Sequence, residues 1–499
     1  MALPALFLDR ARALVGANTV SDQGTRKAVE ILRPLYEEAG LPVQTLGESE
    51  DQSSVLAGPG GGFAANLGSA GAGFAGPPAV KGGVLFVTHL DTVPSGPSER
   101  WTETGGDAWA LTEKDGWLFG LGCADVKLDA LCKIEAAKRL RGVKLRRPFW
   151  LLGTFGEEVG LRGARHFVQS EVFRTIAPTQ VLCGEPSELA VIHAHKGYVV
   201  VRCVVTDRKA RLVSLQNLGP EELTWAGKAA HSSTPHLGVN AIGKALQWSK
   251  ASGTPVVGAS GGAASNVVPA KCTLQVPAPR DEGRPAPDAA RLLPPTSELR
   301  PNLWRALASA GALGELWLST LASLEPKADG RFEPAGAVGG LNVLESGSGP
   351  PDERNIYADG WVAVTLDGRL LPQHDPDALI AKFQGAAQQW IADLGRGDLT
   401  LSISVERNAG GMALPDHSPL VEAAGRVLRA HGLDGTPRAK PTSTEGGIFH
   451  RAGCEAIVFG PGVSTGNAHT ANERIEKLQL ERAIELYEAL LIELCQRGP

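Results

Sequence analysis

Residues 84–91 have the sequence VLFVTHLD, and the fold can be worked out from this stretch. Val84–Thr88 is a compact apolar run that stops at His89, as a strand buried inside a parallel sheet does. Similar runs occupy residues 148–154, 179–183 and 452–459, and helical periodicity occupies residues 127–140, 162–169 and 475–495. Strands that alternate with helices in this way predict an α/β fold built on a parallel sheet.

The middle of the chain has a different pattern. Strand-like alternation occupies residues 197–205, 222–227, 267–276 and 360–366, and a helical pattern occupies residues 240–250. We therefore predict a separate α+β domain at 196–408, inserted between two parts of the sheet domain at 1–195 and 409–499. Pro-rich and charge-rich segments lie inside this domain, within about 277–354.

The composition excludes several classes of protein. The net charge of the 499 residues is -5, without a long run of one sign, which disfavours nucleic-acid binding. No apolar run reaches the length of about 18 residues that a membrane span requires, and charged residues interrupt the first 16 residues, unlike a secretory signal. The seven cysteines form no Cys-x-x-Cys pair and fit free thiols, so we expect a cytoplasmic protein that binds neither nucleic acid nor membrane.

Acidic and imidazole side chains follow the ends of the predicted strands. They are His89, Asp91, Asp125, Glu157, Glu158, Glu185 and His469. Each alone has an ordinary explanation, such as a surface pair, a helix N-cap or a turn residue. Because ligands of open α/β sheets bind at the carboxyl edge of the strands, their shared placement predicts one site.

These residue types suit a site for two metal ions. Imidazole is a good zinc ligand, and Asp91 is near enough in sequence to His89 to lock its tautomer. The two oxygens of Asp125 can bridge metals about 3.5–4 Å apart. Neighbouring side chains point apart, so Glu158 can bind metal while Glu157 takes a proton from water. A ligand set of nitrogen and oxygen atoms without thiolate leaves a position for water, as in catalytic zinc sites.

Six segments extend this pattern along nearly the whole chain. They are THLDTVP (88–94), GLGCADVK (120–127), GEEVGLRGAR (156–165), GEPSEL with AHKG (184–197), GKAAHSSTPHLGVNAI (227–242) and FGPGVSTGNAHTANE (459–473). In these segments and their order the chain resembles the dinuclear zinc peptidase family that includes acetylornithine deacetylase, succinyl-diaminopimelate desuccinylase, carboxypeptidase G and aminoacylase. The Thr444-Glu445 pair, followed by Gly-Pro-Gly and Ala-His, resembles the acetylornithine deacetylase branch most closely.

The resemblance implies a ligand set. His89 and Glu185 would bind one metal, Glu158 and His469 the other, and Asp125 would bridge them. The expected cofactors are two Zn²⁺ ions, with Co²⁺ or Mn²⁺ as substitutes. The implied architecture is a parallel-sheet catalytic domain of the zinc-peptidase type with an inserted α+β lid domain.

The resemblance also implies roles in catalysis. Asp91 would orient His89, and Glu157 would act as general base and later as proton donor. His231, in the inserted domain, would stabilise the oxyanion. Arg369 would hold a substrate carboxylate, for which a bidentate arginine is well suited.

An asparagine that contacts the reacting carbonyl has two candidates. Asn266 precedes Arg280 by 14 residues and Asn355 precedes Arg369 by 14 residues, so both share one spacing. Compared with the family, the lid is also enlarged by an insertion at about 277–354, and the repeated spacing suggests that the lid is partly duplicated. The chain is expected to be a homodimer, or a monomer in which residues near 277–354 replace a partner or cap the pocket; a surface insertion without a catalytic part is the alternative.

Two departures from the family pattern lie next to the site. The motif that normally ends in glycine after Asp125-x-Lys continues here as Leu128-Asp129, and Gly156 stands where an acid is frequent. Neither departure removes a proposed ligand.

The implied function is a metal-dependent hydrolase of amino-acid metabolism, a metallopeptidase or deacylase that cleaves an amide or peptide bond next to a free carboxylate. The substrate is an N-acyl amino acid or a dipeptide, with unusual β-linked dipeptides as an alternative that suits the enlarged lid. A non-catalytic ligand-binding protein is the second class. A serine hydrolase is the third, since Ser260 lies in a Gly-x-Ser-x-Gly pattern, but the turn that such a nucleophile needs is not evident.

Overall fold

The computed structural model describes residues 3–58, 81–215, 220–277, 299–349 and 357–497. Contacts divide the chain into two units, of which the first comprises Met1–His195 and Gly411–Pro499 and the second comprises Lys196–Gly410. The assignment of catalytic and lid domains to 1–195, 196–408 and 409–499 stays a prediction. Of the expected insertion, residues 278–298 and 350–354 lie outside the described residues.

The first segment of the chain, up to residue 195, contains the predicted apolar strands. Its helices are α1 (Phe7–Gly16), α2 (Arg26–Glu38), α3 (Lys127–Arg139), α4 (Arg162–Gln169) and α5 (Glu171–Ile176). Its strands are β1 (Val43–Gly47), β2 (Ser53–Ala57), β3 (Val84–His89), β4 (Thr112–Lys114), β5 (Trp117–Phe119), β6 (Phe149–Thr154), β7 (Gln180–Gly184) and β8 (Ile192–His195). The predicted strands that became β3, β6 and β7 are confirmed to within one residue at each end.

The second segment of the chain is richer in strands than its sequence pattern indicated. Its strands are β9 (Gly197–Ser214), β10 (Pro220–Ala226), β11 (Gly258–Gly261), β12 (Lys271–Pro277), β13 (Leu299–Pro301), β14 (Val338–Ser348), β15 (Tyr357–Leu370) and β16 (Leu399–Ala409). Its helices are α6 (Ala241–Ser252), α7 (Trp304–Ala322) and α8 (Pro376–Asp393).

The last segment returns to the first unit. Its strands are β17 (Met412–Ala413), β18 (Arg438–Lys440), β19 (Glu455–Val458) and β20 (Arg474–Glu476), and its helices are α9 (Pro419–Ala430), α10 (Gly446–Arg451) and α11 (Lys477–Ile492). Among the residues that the structure describes, no helix is long and apolar enough to cross a membrane. All seven cysteines lie in the described ranges, buried and without a disulfide.

The main sheet of the first unit has nine strands in the order β1-β2-β6-β3-β7-β19-β8-β17, with β18 paired to β8. The four strands from β6 to β19 are parallel, as the sequence predicts. The flanks differ, because β1–β2, β2–β6 and β8–β17 are antiparallel pairs. A short turn such as the one between β1 and β2 can join only antiparallel neighbours, whereas each parallel pair needs a long crossover.

Burial explains the sequence of the central strands. Every residue of β3, β6 and β7 is buried, because helices cover both faces of a parallel sheet and leave no solvated side. The parallel strands place their carboxyl ends at one edge. His89 ends β3, Glu185 follows β7, and the Glu157–Glu158 pair follows β6 by three residues. The edge that the sequence singled out therefore carries the acidic side chains.

A buried polar network lies beneath this edge. The carboxylate of Asp129, on α3, accepts hydrogen bonds from Thr88 at 2.6 Å and from the Tyr487 hydroxyl, and it lies 2.5 Å from Lys133 Nζ. Lys133 Nζ also donates to the Val87 carbonyl at 2.6 Å. A Cβ atom at Gly184 would overlap the Asp129 carboxylate, so glycine is required there. Asp129 thus joins the end of β3 to α3 and α11.

Replacing Lys133 with methionine should destabilise the first unit by about 3–5 kcal/mol, because the buried Asp129 carboxylate would lose its charge partner. Chemical denaturation measures the change in the free energy of unfolding. Hydrogen exchange in peptides of α3 and β3 shows whether the loss lies at this network. The double variant Lys133→Met, Asp129→Leu should recover much of the stability, since removing a buried pair together leaves no unpaired charge. A loss below about 1 kcal/mol in the single variant contradicts the prediction.

The second unit is an α+β unit with its own core. Its antiparallel sheet has the order β10-β12-β11-β14-β15-β9-β13, with β16 paired to β9. Helix α7 packs on β9, β14 and β15, and its Leu313 and Trp317 are fully buried. Since β14 lies between β11 and β15, and side chains of α7 and β14 belong to the core, these two elements are integral to the unit. Whether the insertion has a catalytic part stays a prediction. Ser260 lies within β11, not at a strand-to-helix turn.

Candidate metal centre

The imidazole of His89, at the end of β3, is buried between two aspartates. Its Nδ1 lies 3.1 Å from the main-chain carbonyl oxygen of Asp91 and 3.8 Å from the Asp91 carboxylate. Its Nε2 lies 3.2 Å from Oδ1 of Asp125. A proton on Nδ1 donated to the carbonyl leaves Nε2 as the ligand nitrogen. The shorter contact that orients His89 thus comes from the backbone of Asp91.

The carboxylate of Asp91 makes further contacts besides the one with His89. It accepts hydrogen bonds from the backbone N–H groups of Glu157 at 3.0 Å and Glu158 at 3.2 Å, and from the hydroxyl of Ser21 at 2.7 Å. Backbone donors that bind a carboxylate fix the turn to which they belong. Asp91 therefore anchors the glutamate pair to the end of β3.

The two oxygens of the Asp125 carboxylate face two different histidines. Oδ1 lies 3.2 Å from Nε2 of His89, and Oδ2 lies 3.2 Å from Nε2 of His469. Nε2 of His469 also lies 2.9 Å from Oε1 of Glu158. One carboxylate between two imidazoles is the arrangement that a bridging ligand of two metals requires.

Two groups of side chains have ligand atoms close enough to share an ion. One is His89, Glu157 and Glu158, and the other is Asp125, Glu158 and His469, each with ligand atoms within 4.8 Å of one another. The second group contains the expected ligands of one metal together with the expected bridge. In the first group Glu157 stands beside His89 in the place where the resemblance implies Glu185.

Glu185 lies at the same edge but belongs to neither group. Its Oε2 is 3.7 Å from Nζ of Lys440, on β18. Burial raises the pKa of Glu185, and the negative charge of Asp125 adds to this effect. The motifs did not point to Lys440, because a lysine on a short strand carries no metal-ligand signal.

The electrostatic field at this edge favours a cation. Burial lowers the pKa of His469, but the charge of Glu158 and the hydrogen bond to Asp125 outweigh it and raise this pKa to about 12. Burial raises the pKa of Glu158, and the nearby carboxylates of Glu157 and Asp125 also raise it, against the lowering effect of His469. Negative charge around an imidazole also attracts a divalent ion. Together with the close ligand atoms of Asp125, Glu158 and His469, it shows that the residues present fit a metal site.

A further buried acid, Glu445, interacts electrostatically with Glu157 and His89. The sequence pattern gives it no role beyond its place in the Thr444-Glu445 pair. Its Oε2 accepts a hydrogen bond from Thr154 at 3.0 Å, and its Oε1 has no hydrogen-bond partner. Burial raises its pKa to about 8, with a contribution from the charge of Glu157. The carboxyl group of Glu445 therefore holds a proton more readily than an exposed glutamate does.

In the second unit, the expected catalytic residue His231 and the expected substrate-binding residues Arg369 and Asn266 meet around Ser232. The Ser232 hydroxyl accepts from Arg369 Nη2 at 3.1 Å, and the Ser232 N–H donates to the Asn266 carbonyl at 2.8 Å. His231 precedes Ser232, and its Nδ1 accepts the N–H of Ser233 at 3.1 Å. A neutral His231 ring therefore carries its proton on Nε2.

The guanidinium of Arg369 is buried and held in one orientation. It stacks on the ring of Tyr198 at 3.5 Å and lies 3.9 Å from the Asp367 carboxylate. Burial raises the pKa of Asp367 to about 6 although the charge of Arg369 lowers it. Asn355, the alternative to Asn266, lies outside the described residues.

The comparisons with known proteins agree with this geometry. The family model of peptidase family M20/M25/M40 matches residues 85–493. This chain belongs to that family. Its resemblance to dinuclear zinc peptidases, proposed from six motifs, is thereby confirmed, and so is the α/β fold with an inserted α+β part.

Curated relatives of this M20/M25/M40 protein align with about half of the chain. Acetylornithine deacetylase of Vibrio campbellii is 32% identical over 248 residues, which make up 48% of this chain and 53% of that protein. Acetylornithine deacetylase of Pasteurella multocida is 33% identical over 244 residues, 47% of this chain and 52% of that protein. The chain thus aligns with about half the length of these curated relatives.

Solved structures match over nearly the whole length. Human carnosine dipeptidase 1 has a TM-score of 0.57 at 17% identity, covering 98% of this chain and 96% of that one. An M20 family metallo-carboxypeptidase of Sulfolobus solfataricus has a TM-score of 0.58 at 18% identity, covering 98% of this chain and 99% of that one. At these identities the likeness concerns the fold.

Proposed function

We propose that this M20/M25/M40 protein is a metal-dependent hydrolase that cleaves an amide bond next to a free carboxylate. The observation that carries the proposal is the Asp125 carboxylate, whose two oxygens face His89 and His469, each at 3.2 Å. The buried acids beside it supply the negative field that two divalent ions would balance.

The ligand set favours zinc, with Co²⁺ or Mn²⁺ as substitutes. His89, Asp125, Glu158, Glu185 and His469 would hold two Zn²⁺ ions through nitrogen and oxygen atoms only. When bound, such a pair polarises the substrate carbonyl and lowers the pKa of water. The seven cysteines are buried and free, and none belongs to either candidate ligand group.

Glu157 is the group that we assign to proton transfer. Its backbone N–H is fixed by Asp91, and its side chain lies in the group that contains His89 and Glu158. It would take a proton from the attacking water and deliver it to the leaving amine.

The second unit is proposed to recognise the substrate. Tyr198 and Ser232 fix the plane of the Arg369 guanidinium, which suits a bidentate contact with the substrate carboxylate. His231 would donate from Nε2 to the developing oxyanion, and Asn266 would contact the reacting carbonyl. Asn355 stays the alternative to Asn266.

The substrate we propose first is an N-acyl amino acid, because the sequence relatives are acetylornithine deacetylases. A dipeptide, including a β-linked one, is the second candidate, because α7 and β14 enlarge the second unit. Whether the protein is a homodimer, or a monomer in which the region near 277–354 replaces a partner, stays a prediction that gel filtration tests.

The experiment is to measure metal content and to assay hydrolysis of N-acyl amino acids and of α- and β-linked dipeptides, before and after chelation. We expect about two zinc ions per chain, with activity that chelation removes and zinc restores. Serine-directed reagents should have no effect. Bound metal without turnover of any substrate would favour a ligand-binding role, and a protein that binds no metal would overturn the proposal.

A further inference from the structure

One buried carboxylate connects the two loops that carry Asp125 and His469. Glu473 follows His469 by four residues, and only 1% of its surface is exposed. Its carboxylate accepts three backbone hydrogen bonds, from Gly122 at 3.0 Å, Ala124 at 2.8 Å and Asp125 at 2.9 Å. Three amides of one short loop therefore converge on a single side chain from another loop.

The main chain of Glu473 also binds the loop that carries Asp125. The N–H of Gly120 donates to the carbonyl oxygen of Glu473 at 3.0 Å, and the thiol of Cys123 donates to that oxygen at 3.5 Å. Side chain and backbone of Glu473 thus bind successive residues of the loop that precedes α3. This loop has no regular secondary structure that would otherwise fix Asp125.

The conformation of the loop determines where the Asp125 carboxylate lies. The N–H of Asp125 itself donates to Glu473, so the backbone from which the bridging side chain extends is held directly. Hydrogen bonds from N–H groups to a carboxylate are about twice as strong as neutral ones. A metal site with ligands on separate loops binds more tightly when supporting contacts hold those loops in place before the metal arrives.

We propose that Glu473 is a positioning residue that holds the Asp125 loop against the His469 loop and thereby sets the metal affinity of the centre. The part concerning affinity rests on the proposed function, whereas the part concerning the loop does not. The hydrogen bonds of its carboxylate are to backbone amides, so it acts through Asp125.

The variant Glu473→Gln tests this role with little change in shape. An amide has one acceptor oxygen, and its NH₂ group would face at least one of the three N–H donors. The milder variant Glu473→Asp keeps the charge but shortens the side chain by one methylene. The matched control is Glu135→Gln, a buried glutamate of the same unit whose carboxylate binds Arg10 at 2.8 Å and Lys138 at 3.0 Å, away from the ligand loops.

The first measurement is hydrogen exchange in the metal-free protein. We expect faster exchange of the Gly122, Ala124 and Asp125 amides in Glu473→Gln, a smaller effect in Glu473→Asp and none in Glu135→Gln.

The second measurement is the zinc affinity, determined by competition with a chromophoric chelator. We expect a loss of about 10- to 100-fold in Glu473→Gln, with the affinity of Glu135→Gln unchanged.

Unchanged exchange in the 122–125 amides would overturn the positioning role, as would zinc affinity within two-fold of the parent protein. An equal loss of zinc affinity in Glu135→Gln would show a general effect of stability and would also overturn it. If the parent protein binds no zinc, the proposed metal centre and the effect on affinity both fail, and exchange alone decides whether Glu473 holds the loop.

Discussion

Replacing Glu157 with glutamine should lower kcat by about 10²- to 10⁴-fold while the metal content stays the same. Glutamine has the size of glutamate but cannot take the proton of the attacking water. The backbone N–H that Asp91 binds is unaffected by the substitution, so the turn that carries Glu158 should keep its place. Steady-state kinetics and metal analysis on the same preparations measure both quantities.

The metal content is the decisive control, because Glu157 belongs to one group of candidate ligands with His89 and Glu158. Loss of about one metal ion together with activity would show that Glu157 is a ligand, in the place the resemblance gives to Glu185. Loss of activity with full metal content supports its role as the base. Glu171→Gln, an exposed position at the start of α5, should change neither quantity.

Replacing Asp125 with alanine should remove both metal ions and all measurable activity, because its two oxygens face both histidines. Removing Glu185, which lies in neither candidate group, should affect only one ion. Metal analysis after dialysis against zinc at graded concentrations separates these outcomes. Retention of two tightly bound ions in Asp125→Ala would contradict the bridging role.

The central strands could be predicted because helices cover both faces of a parallel sheet, and burial on both faces leaves a run such as Val84–Thr88 in the sequence. The antiparallel flanks could not, since the direction of a half-buried strand such as β1 depends on its partner and not on its own residues. Helix α7 was also missed. Its Leu313 and Trp317 are core residues only because β14 and β15 lie beneath them.

At the site, the metal-binding pattern was recognisable because a ligand must have a particular donor atom. His89, Asp125 and His469 meet as the motifs implied. Glu473 was missed because its role depends on backbone amides more than 340 residues earlier, and any residue type supplies an amide. Lys440 was missed for a related reason, since only the pairing of β18 with β8 brings it near Glu185.

The chain enters and leaves the second unit at two neighbouring points. Strand pairs lie next to these points in each of the two units. In the first unit, Met412 pairs with His195 at the antiparallel end of the sheet. In the second unit, Ala409 pairs with Tyr198, so the two ends of that unit are also neighbours. The two segments at the junction are antiparallel neighbours, as the strands of a hairpin are, and the inserted unit stands where a hairpin has its turn. The pairing of Met412 with His195 therefore closes the first unit at this junction without any residue of the second unit.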